Sequence, residues 1–273
     1  MPEMPEVETI VRELRKKVID KRISRVHLSG YPLRKPIEKD FAGKLRGRAL
    51  KKIVRRGKYI IVELEPKAFW VIHLGMSGKV LYHDGLCRKA KHTHVIVQFS
   101  DSTKLEYRDP RRFGLMAVHD VSELNEVPEI RSLGRDPLGP DFNDEWLLSE
   151  LQKSRQEIKA FLLNQKYIAG LGNIYACEAL FMAGISPRRR CLTLARGEAS
   201  ILANGIREVM RNAITRRGTS FSDFVDSEGK PGENQNHLAV FQREGEACIR
   251  CRRPIRRVTQ ANRSTFYCGK CQK

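Results

Sequence analysis

Pro2 opens the chemistry of this chain. A small residue in second place lets the initiator Met1 be trimmed, leaving Pro2 as a free secondary amine. An α-amino group titrates at roughly 7.7–8.0, so a useful fraction is the unprotonated nucleophile near neutrality. Amines attack electrophilic carbon and form Schiff bases. A secondary amine gives an iminium that keeps its positive charge without a proton and so serves as a standing electron sink. Glu3 follows directly and Glu6 lies one turn on, two carboxylates placed for acid–base work. The same stretch also reads as the start of an ordinary amphipathic helix. Pro5 suits an early helical position, Glu6 and Glu8 suit the positive end, and Val7, Ile10, Val11, Leu14 and Val18 share one face.

A second set of reactive side chains stands at the other end. Cys248-x-x-Cys251 and Cys268-x-x-Cys271 are separated by 16 residues. Two such pairs are the tetrahedral ligand set of one structural Zn²⁺ with no open position, so zinc is not expected to act in catalysis. A module of 24 residues cannot bury a core of its own, so the metal supplies its folding energy. Arg250, Arg252, Arg253, Arg256, Arg257 and Arg263 stud the module and mark it as a phosphate-binding finger. The other cysteines, Cys87, Cys177 and Cys191, read as structural, since disulfides are rare in a reducing compartment.

Between the two ends, smaller motifs carry weaker signals. Arg55-Arg56-Gly57-Lys58 presents Lys58 at the start of a β-rich run, aimed at phosphate or at reaction chemistry. Leu74-Gly75-Met76-Ser77-Gly78 is a tight loop that exposes Met76, useful as a wedge between bases. His92 reads as a phosphate contact and His94 as structural. Asp109-Pro110-Arg111-Arg112-Phe113-Gly114 combines an arginine donor with a stacking ring. Gly170-Leu171-Gly172-Asn173 is a Gly-rich turn into a helix, where backbone N–H groups bind phosphate and Asn173 either caps the helix or donates to phosphate itself. Residues 217–237 are polar and Gly-rich and read as a mobile surface loop, the kind that forms lids.

The elements that must position these groups follow from periodicity. Strand patterns at 23–29, 59–64, 69–73, 95–99 and 104–108, with a basic stretch of apolar alternation from Leu45 to Val54, follow the first helix, so residues 1–120 read as a β-sandwich or barrel-like domain. Residues 121–143, broken by Pro128, Pro137, Gly139 and Pro140, read as a linker. From Asp144 the period is helical, with helices near 146–151, 158–163, 173–181 and 196–216. Residues 144–237 therefore form a helical domain and 238–273 the finger. The formal net charge is +19, from 51 Lys+Arg against 32 Asp+Glu, spread along the whole chain; that excess calls for a polyanionic partner, nucleic acid first. No apolar run approaches the ~20 residues of a membrane span, and the acidic N-terminus is no signal peptide. The expectation is a cytoplasmic, nucleoid-associated monomer.

Taken in order, Pro2-Glu3-x-Pro5-Glu6-Val7-Glu8, Arg56-Gly57-Lys58, His73-Leu74-Gly75-Met76-Ser77-Gly78, Asp109 to Gly114, Gly170 to Tyr175 and the four-cysteine finger closely resemble the bacterial formamidopyrimidine-DNA glycosylases over the whole chain. The resemblance implies an α+β multidomain fold: an N-terminal β-sandwich with a leading helix, a helix–two-turn–helix domain and a zinc finger, with double-stranded damaged DNA between them. It implies that Pro2 attacks C1′ of an oxidised purine nucleotide and that the iminium drives β,δ-elimination. Glu3 matches the catalytic acid, Lys58 the general acid of β-elimination and Arg263 that of δ-elimination, with Glu6 as support. His92, Arg111, Asn173 and Arg263 match DNA contacts; Met76, Arg111 and Phe113 match the trio that fills the gap after base extrusion. Lys159 lies where the family has a functional lysine. Residues 217–237 match its lesion-capping loop, where Ser220 contacts the flipped base through backbone groups. Met4 stands where leucine is usual, and Gly269-Lys270 where Pro-Arg is common. Three rivals share the architecture or the charge. An endonuclease VIII-like enzyme for oxidised pyrimidines typically starts Pro-Glu-Gly-Pro-Glu. A non-enzymatic zinc-finger damage-binding or RNA-associated protein leaves Pro2, Glu3 and Lys58 unexplained.

Overall fold

The computed structural model describes residues 2–86 and 90–273; Met1 and Cys87 lie outside them. The chain divides into two compact units, one made of Met1–Ser132 with Arg216–Gln235 and the other of Leu133–Thr215 with Asn236–Lys273.

The first unit begins with helix α1 (Met4–Val18), whose N-terminus is closed by a reciprocal pair: the Glu3 side chain takes the Glu6 backbone N–H and Glu6 returns to the Glu3 N–H. Val7, Ile10, Val11, Leu14 and Val18 are all buried, as their spacing predicts. Strands β1 (Ile23–Leu28), β2 (Ala49–Arg56), β3 (Tyr59–Glu65), β4 (Ala68–His73), β5 (Lys79–His83), β6 (Thr93–Phe99), β7 (Lys104–Arg108) and β8 (Leu115–His119) follow, with a short helix α2 (Phe41–Leu45) before β2. They form two antiparallel four-stranded sheets among the described residues, in the orders β1-β6-β7-β5 and β2-β3-β4-β8. Val95, Val97, Leu105 and Tyr107 from one sheet share a core with Ile60, Val62, Trp70 and Ile72 from the other, and α1 adds its apolar face. This is the expected β-sandwich. Strands β5 and β8 and helix α2 are absent from the sequence reading. Their patterns are short, and their burial comes from partners far along the chain.

The second unit is helical. It contains α3 (Asp144–Gln152), α4 (Ile158–Leu163), α5 (Asn173–Ala183) and α6 (Arg196–Thr215), then the hairpin β9 (Arg256–Gln260) and β10 (Arg263–Tyr267). Asn143 caps α3 by accepting the Trp146 N–H at 2.8 Å. α5 is apolar on nearly every side and is the buried centre of the unit.

Residues 217–237 depart from the expected mobile surface loop. Most of the segment groups with the first unit, and Thr219, Asp226, Ser227 and Asn234 within it are buried. Asp226 accepts the N–H groups of Glu228 and Lys230 at 2.8 and 2.9 Å, and Asn234 donates to Thr219 Oγ1 at 2.9 Å. Short polar side chains here satisfy the backbone in place of a sheet ladder, so a segment that reads as loose is knitted down.

Candidate active site

Pro2 and Glu3 precede the first turn of α1. Both are buried, with Glu3 2% exposed. Glu6 holds the ends of two segments together: Oε2 accepts the Glu3 N–H and Oε1 accepts the Thr219 N–H, each at 2.7 Å. Gly218 makes that approach possible. Its φ is +82°, and a Cβ there would meet Glu6 Oε1 at 2.9 Å. Glu8 accepts from Arg55 Nε at 3.0 Å, an ion pair with both side chains largely buried. That bond ties the first turns of α1 to β2 three residues before Lys58.

Lys58 lies in the turn between β2 and β3 rather than in the strand. Arg56 pairs with Tyr59, leaving Gly57 and Lys58 as a two-residue loop. Gly57 has φ +58°, which suits the first position of a type II′ turn. The loop presents the lysine at a fixed place, and the side chain is mostly buried. His73, at the end of β4, stacks against Tyr59 at 4.8 Å. Burial, then the charges of Lys58 and Arg34, lower the His73 pKa to about 4. His73 is therefore neutral at pH 7 and accepts the Gly75 N–H on Nδ1 at 3.0 Å, which leaves Nε2 carrying the proton.

Met76, Arg111 and Phe113 come together around a residue to which the sequence reading gave no role of its own. Asp109 is fully buried. It accepts from Ser77 Oγ at 2.7 Å, from the Gly114 N–H at 2.8 Å and from Tyr107 Oη at 3.2 Å. Ser77 Oγ in turn accepts the Arg111 N–H at 3.2 Å. One carboxylate thus joins the β4–β5 turn to the β7–β8 turn. Met76 (37%) and Phe113 (45%) stay exposed, and the Arg111 guanidinium sits over the Phe113 ring at 4.8 Å. The only sequence signal for Asp109 was its place before Pro110. Asp109→Asn replaces one of the two accepting oxygens with an NH2, set against either the Ser77 hydroxyl or the Tyr107 hydroxyl and the Gly114 N–H, and we expect a loss of about 2–4 kcal/mol in urea unfolding, with both turns loosened; unchanged stability would remove Asp109 from this role. His92 is exposed, with φ +65°. It lines a cleft with Tyr31, Lys91 and Arg112. His94, by contrast, is buried between Ser29 Oγ (3.2 Å) and the Asp109 carbonyl (3.0 Å), as a structural histidine should be.

In the second unit, Asn173 does not cap α5. Gly172 occupies the cap position without a side-chain bond, and Asn173 Nδ2 donates to the Ser264 carbonyl at 2.9 Å. Lys159 differs from the expected DNA contact: it is fully buried, and its Nζ donates to Thr265 Oγ1 at 2.5 Å and to the Ser264 carbonyl at 3.2 Å. Its charge is spent under β10 instead of being offered to a phosphate. Both residues brace the strand that begins at Arg263, which is exposed beside the tight loop Ala261–Asn262. Both loop residues have positive φ, as a type I′ hairpin requires.

The finger fits a metal. Cys248, Cys251, Cys268 and Cys271 place their sulfurs within 4.8 Å of one another; Cys251–Cys268 is 3.5 Å and Cys248–Cys271 is 3.9 Å. Tetrahedral zinc with Zn–S near 2.3 Å needs S···S edges of about 3.8 Å. The Arg250 N–H points at Cys248 Sγ at 3.4 Å, which favours a thiolate. With thiols alone, burial and the neighbouring sulfurs push Cys271 up to about 12; a divalent cation reverses that penalty. The cluster holds one structural Zn²⁺. The finger also shares a core, with Val240, Ile255 and Phe266 packed on Cys177 and Phe181 of α5. Glu178 of the same helix accepts the N–H groups of Ala239, Val240 and Phe241 at 2.7, 3.0 and 2.9 Å. Arg250 is turned inward onto the carbonyls of Phe181 and Met182 at 2.9 and 3.0 Å, so it caps α5 rather than seeking phosphate.

Ser220 sits where its backbone N–H donates to Gln235 Oε1 at 2.9 Å and its hydroxyl bonds the Phe224 carbonyl and the Gly232 N–H, both at 2.8 Å. Its neighbours Phe221, Ser222 and Asp223 are exposed, as are Glu228 to Pro231 further along the segment.

The chain matches three family models: the formamidopyrimidine-DNA glycosylase N-terminal domain over residues 1–116, the formamidopyrimidine-DNA glycosylase H2TH domain over 133–225, and the zinc finger found in FPG and IleRS over 245–273. A protein of Desulforamulus reducens named formamidopyrimidine-DNA glycosylase is 43% identical over 275 residues, covering 100% of this chain and 99% of that protein. One of the same name from Thioalkalivibrio sulfidiphilus is 39% identical, with 100% of each covered. Among solved structures, MutM (Fpg) from Thermus thermophilus superposes with TM-score 0.89 at 36% identity, over 99% of this chain and 98% of that one. Lactococcus lactis Fpg in complex with N7-benzyl-Fapy-dG DNA superposes with TM-score 0.90 at 33% identity, over 100% of both chains.

Proposed function

The chain belongs to the formamidopyrimidine-DNA glycosylase family and is a DNA base-excision repair enzyme, and on that premise we propose that it removes oxidised purines through a covalent proline intermediate and then cuts the abasic strand. The observation that carries the reading is the pairing at the head of α1: Glu3 is buried directly after Pro2 and is held by Glu6. Once Met1 is removed, the Pro2 nitrogen forms a bond to C1′ as the glycosidic bond breaks and its electron pair leaves with the base. The Pro2 nitrogen then sheds its proton to solvent, and its freed electron pair opens the sugar ring, with Glu3 giving the ring oxygen a proton, to leave the C1′ iminium. Loss of a C2′ proton to water sends the C–H electron pair into that sink, the resulting enamine expels the 3′ phosphate with Lys58 as general acid, and a second elimination served by Arg263 expels the 5′ phosphate.

The remaining assignments belong to the same proposal. His92, Arg111, Asn173 and Arg263 contact DNA, and Lys159 serves from beneath β10. Met76, Arg111 and Phe113 fill the gap left by the extruded base, offsetting an extrusion cost of a few kcal/mol. Ser220 and its neighbours face that base. Damaged duplex DNA is the partner, drawn by the net charge of +19. The division of labour is a catalytic domain to residue 120, a helical domain and a finger, in a monomer that works at the nucleoid of the bacterial cytoplasm. No helix among the described residues is long and apolar enough to cross a membrane.

Purified protein given duplexes with 8-oxoguanine opposite cytosine, with thymine glycol and with an abasic site tests this reading. We expect excision of 8-oxoguanine and cleavage that leaves phosphate on both sides of a one-nucleoside gap. Preference for thymine glycol would turn the assignment to an endonuclease VIII-like enzyme. Binding without any cut would leave a damage-binding protein.

A further inference from the structure

A polar stripe on α1 carries a latch that the reaction outlined above does not use. Glu6, Glu13 and Lys17 lie at i, i+7 and i+11, one above another along the helix. Each grips the segment after α6. Glu6 takes the Thr219 N–H. Glu13 accepts the Ser227 N–H at 2.9 Å and the Ser227 hydroxyl at 2.7 Å, and it pairs with Arg217. Lys17 donates to Glu228 at 2.6 Å. Arg217 also pairs with the buried Asp226. The segment is therefore pinned at 217–219 and again at 226–228. Phe221, Ser222 and Asp223 stand exposed between the two pins, and the near pin is the same Glu6 that holds Glu3.

The exposed tip has no cation. An aromatic ring, a hydroxyl and a carboxylate suit the π-face and polar edge of a nucleobase and repel a phosphate. We propose that Glu13 and Arg217 are positioning residues that seat this tip for base removal, and that strand cleavage at a site already lacking its base does not depend on them. The inference rests on the glycosylase and lyase reading above. Elimination acts on the sugar and its phosphates through Pro2, Lys58 and Arg263, whereas Glu13 and Arg217 bond to each other, to Ser227 and to Asp226.

The test is Glu13→Gln, Arg217→Gln and the double variant, assayed under single turnover on an 8-oxoguanine:cytosine duplex and on a preformed abasic duplex. Gln in place of Glu13 keeps an acceptor for Ser227 and removes the charge. The Arg217 side chain is 43% exposed, so its loss opens no core. We expect base release to fall about tenfold in each single variant, with the double variant no worse than either, the non-additivity of one shared contact. Abasic-site cleavage should stay within about twofold of the parent. Unchanged base release would overturn the latch, and so would a parallel fall on both substrates, which is the mark of general loosening. Parent protein that cuts neither duplex would instead overturn the underlying reading.

Discussion

Protein carrying one extra residue ahead of Pro2 is expected to bind lesion DNA and do nothing to it. The added residue turns the Pro2 amine into an amide whose lone pair is delocalised, so no bond to C1′ can form. Borohydride reduction should trap an adduct mapping to Pro2 in protein that begins at Pro2, and none in the extended form. Excision should drop by on the order of 10³-fold or more, a barrier rise of about 4 kcal/mol. Affinity should stay close to the parent's, because the phosphate contacts proposed for His92, Arg111, Asn173 and Arg263 are untouched. An extended protein that still yields the adduct would transfer the nucleophile to another amine. Loss of affinity together with activity would mean that the added residue disturbs α1, where Glu3 and Glu6 exchange hydrogen bonds.

Removing zinc should separate grip from chemistry. Structural zinc contributes about 10–16 kcal/mol to small cysteine-ligated modules, far more than the β9–β10 hairpin can recover from the few side chains it packs on α5. Chelation, or Cys268→Ser, is expected to release the hairpin and with it Arg263. Two or three charge-assisted phosphate contacts are lost, each about 1.5–3 kcal/mol, so affinity should fall on the order of 10²-fold or more. At DNA concentrations that restore saturation, borohydride trapping through Pro2 should return, while the second, δ-elimination cut should not. Affinity unchanged after verified metal loss would show that the finger holds without its ion. Trapping that stays absent at saturation would mean that the finger also positions the lesion.

Much of this was legible in the residues themselves. The chemistry proposed for Pro2 and Glu3, the four-cysteine site, the apolar face of α1 and the sandwich strands all depend on local features: a residue type, a fixed spacing, a period of two or of 3.6. Such features survive without knowledge of the fold. The family motifs supplied the roles proposed for Lys58, Asn173 and Arg263.

What the sequence could not assign depends on contacts between distant residues. Asp109 looked like part of a turn, but its three donors come from Ser77, Tyr107 and Gly114. Lys159 was matched to a functional lysine of the family, and Arg250 was read among the phosphate-seeking arginines of the finger. One is buried under β10 and the other closes α5, because in each case the fold brings carbonyl oxygens to the side chain that the local sequence does not reveal. Residues 217–237 looked loose because polarity and glycine are also the composition of linkers; only the folded chain brings Glu6, Glu13 and Lys17 to meet them. Local spacing therefore determined which groups can react and which metal is bound. Tertiary structure decided which charges are free to meet DNA, since a charge is available only after the buried donors and acceptors of the fold have been satisfied.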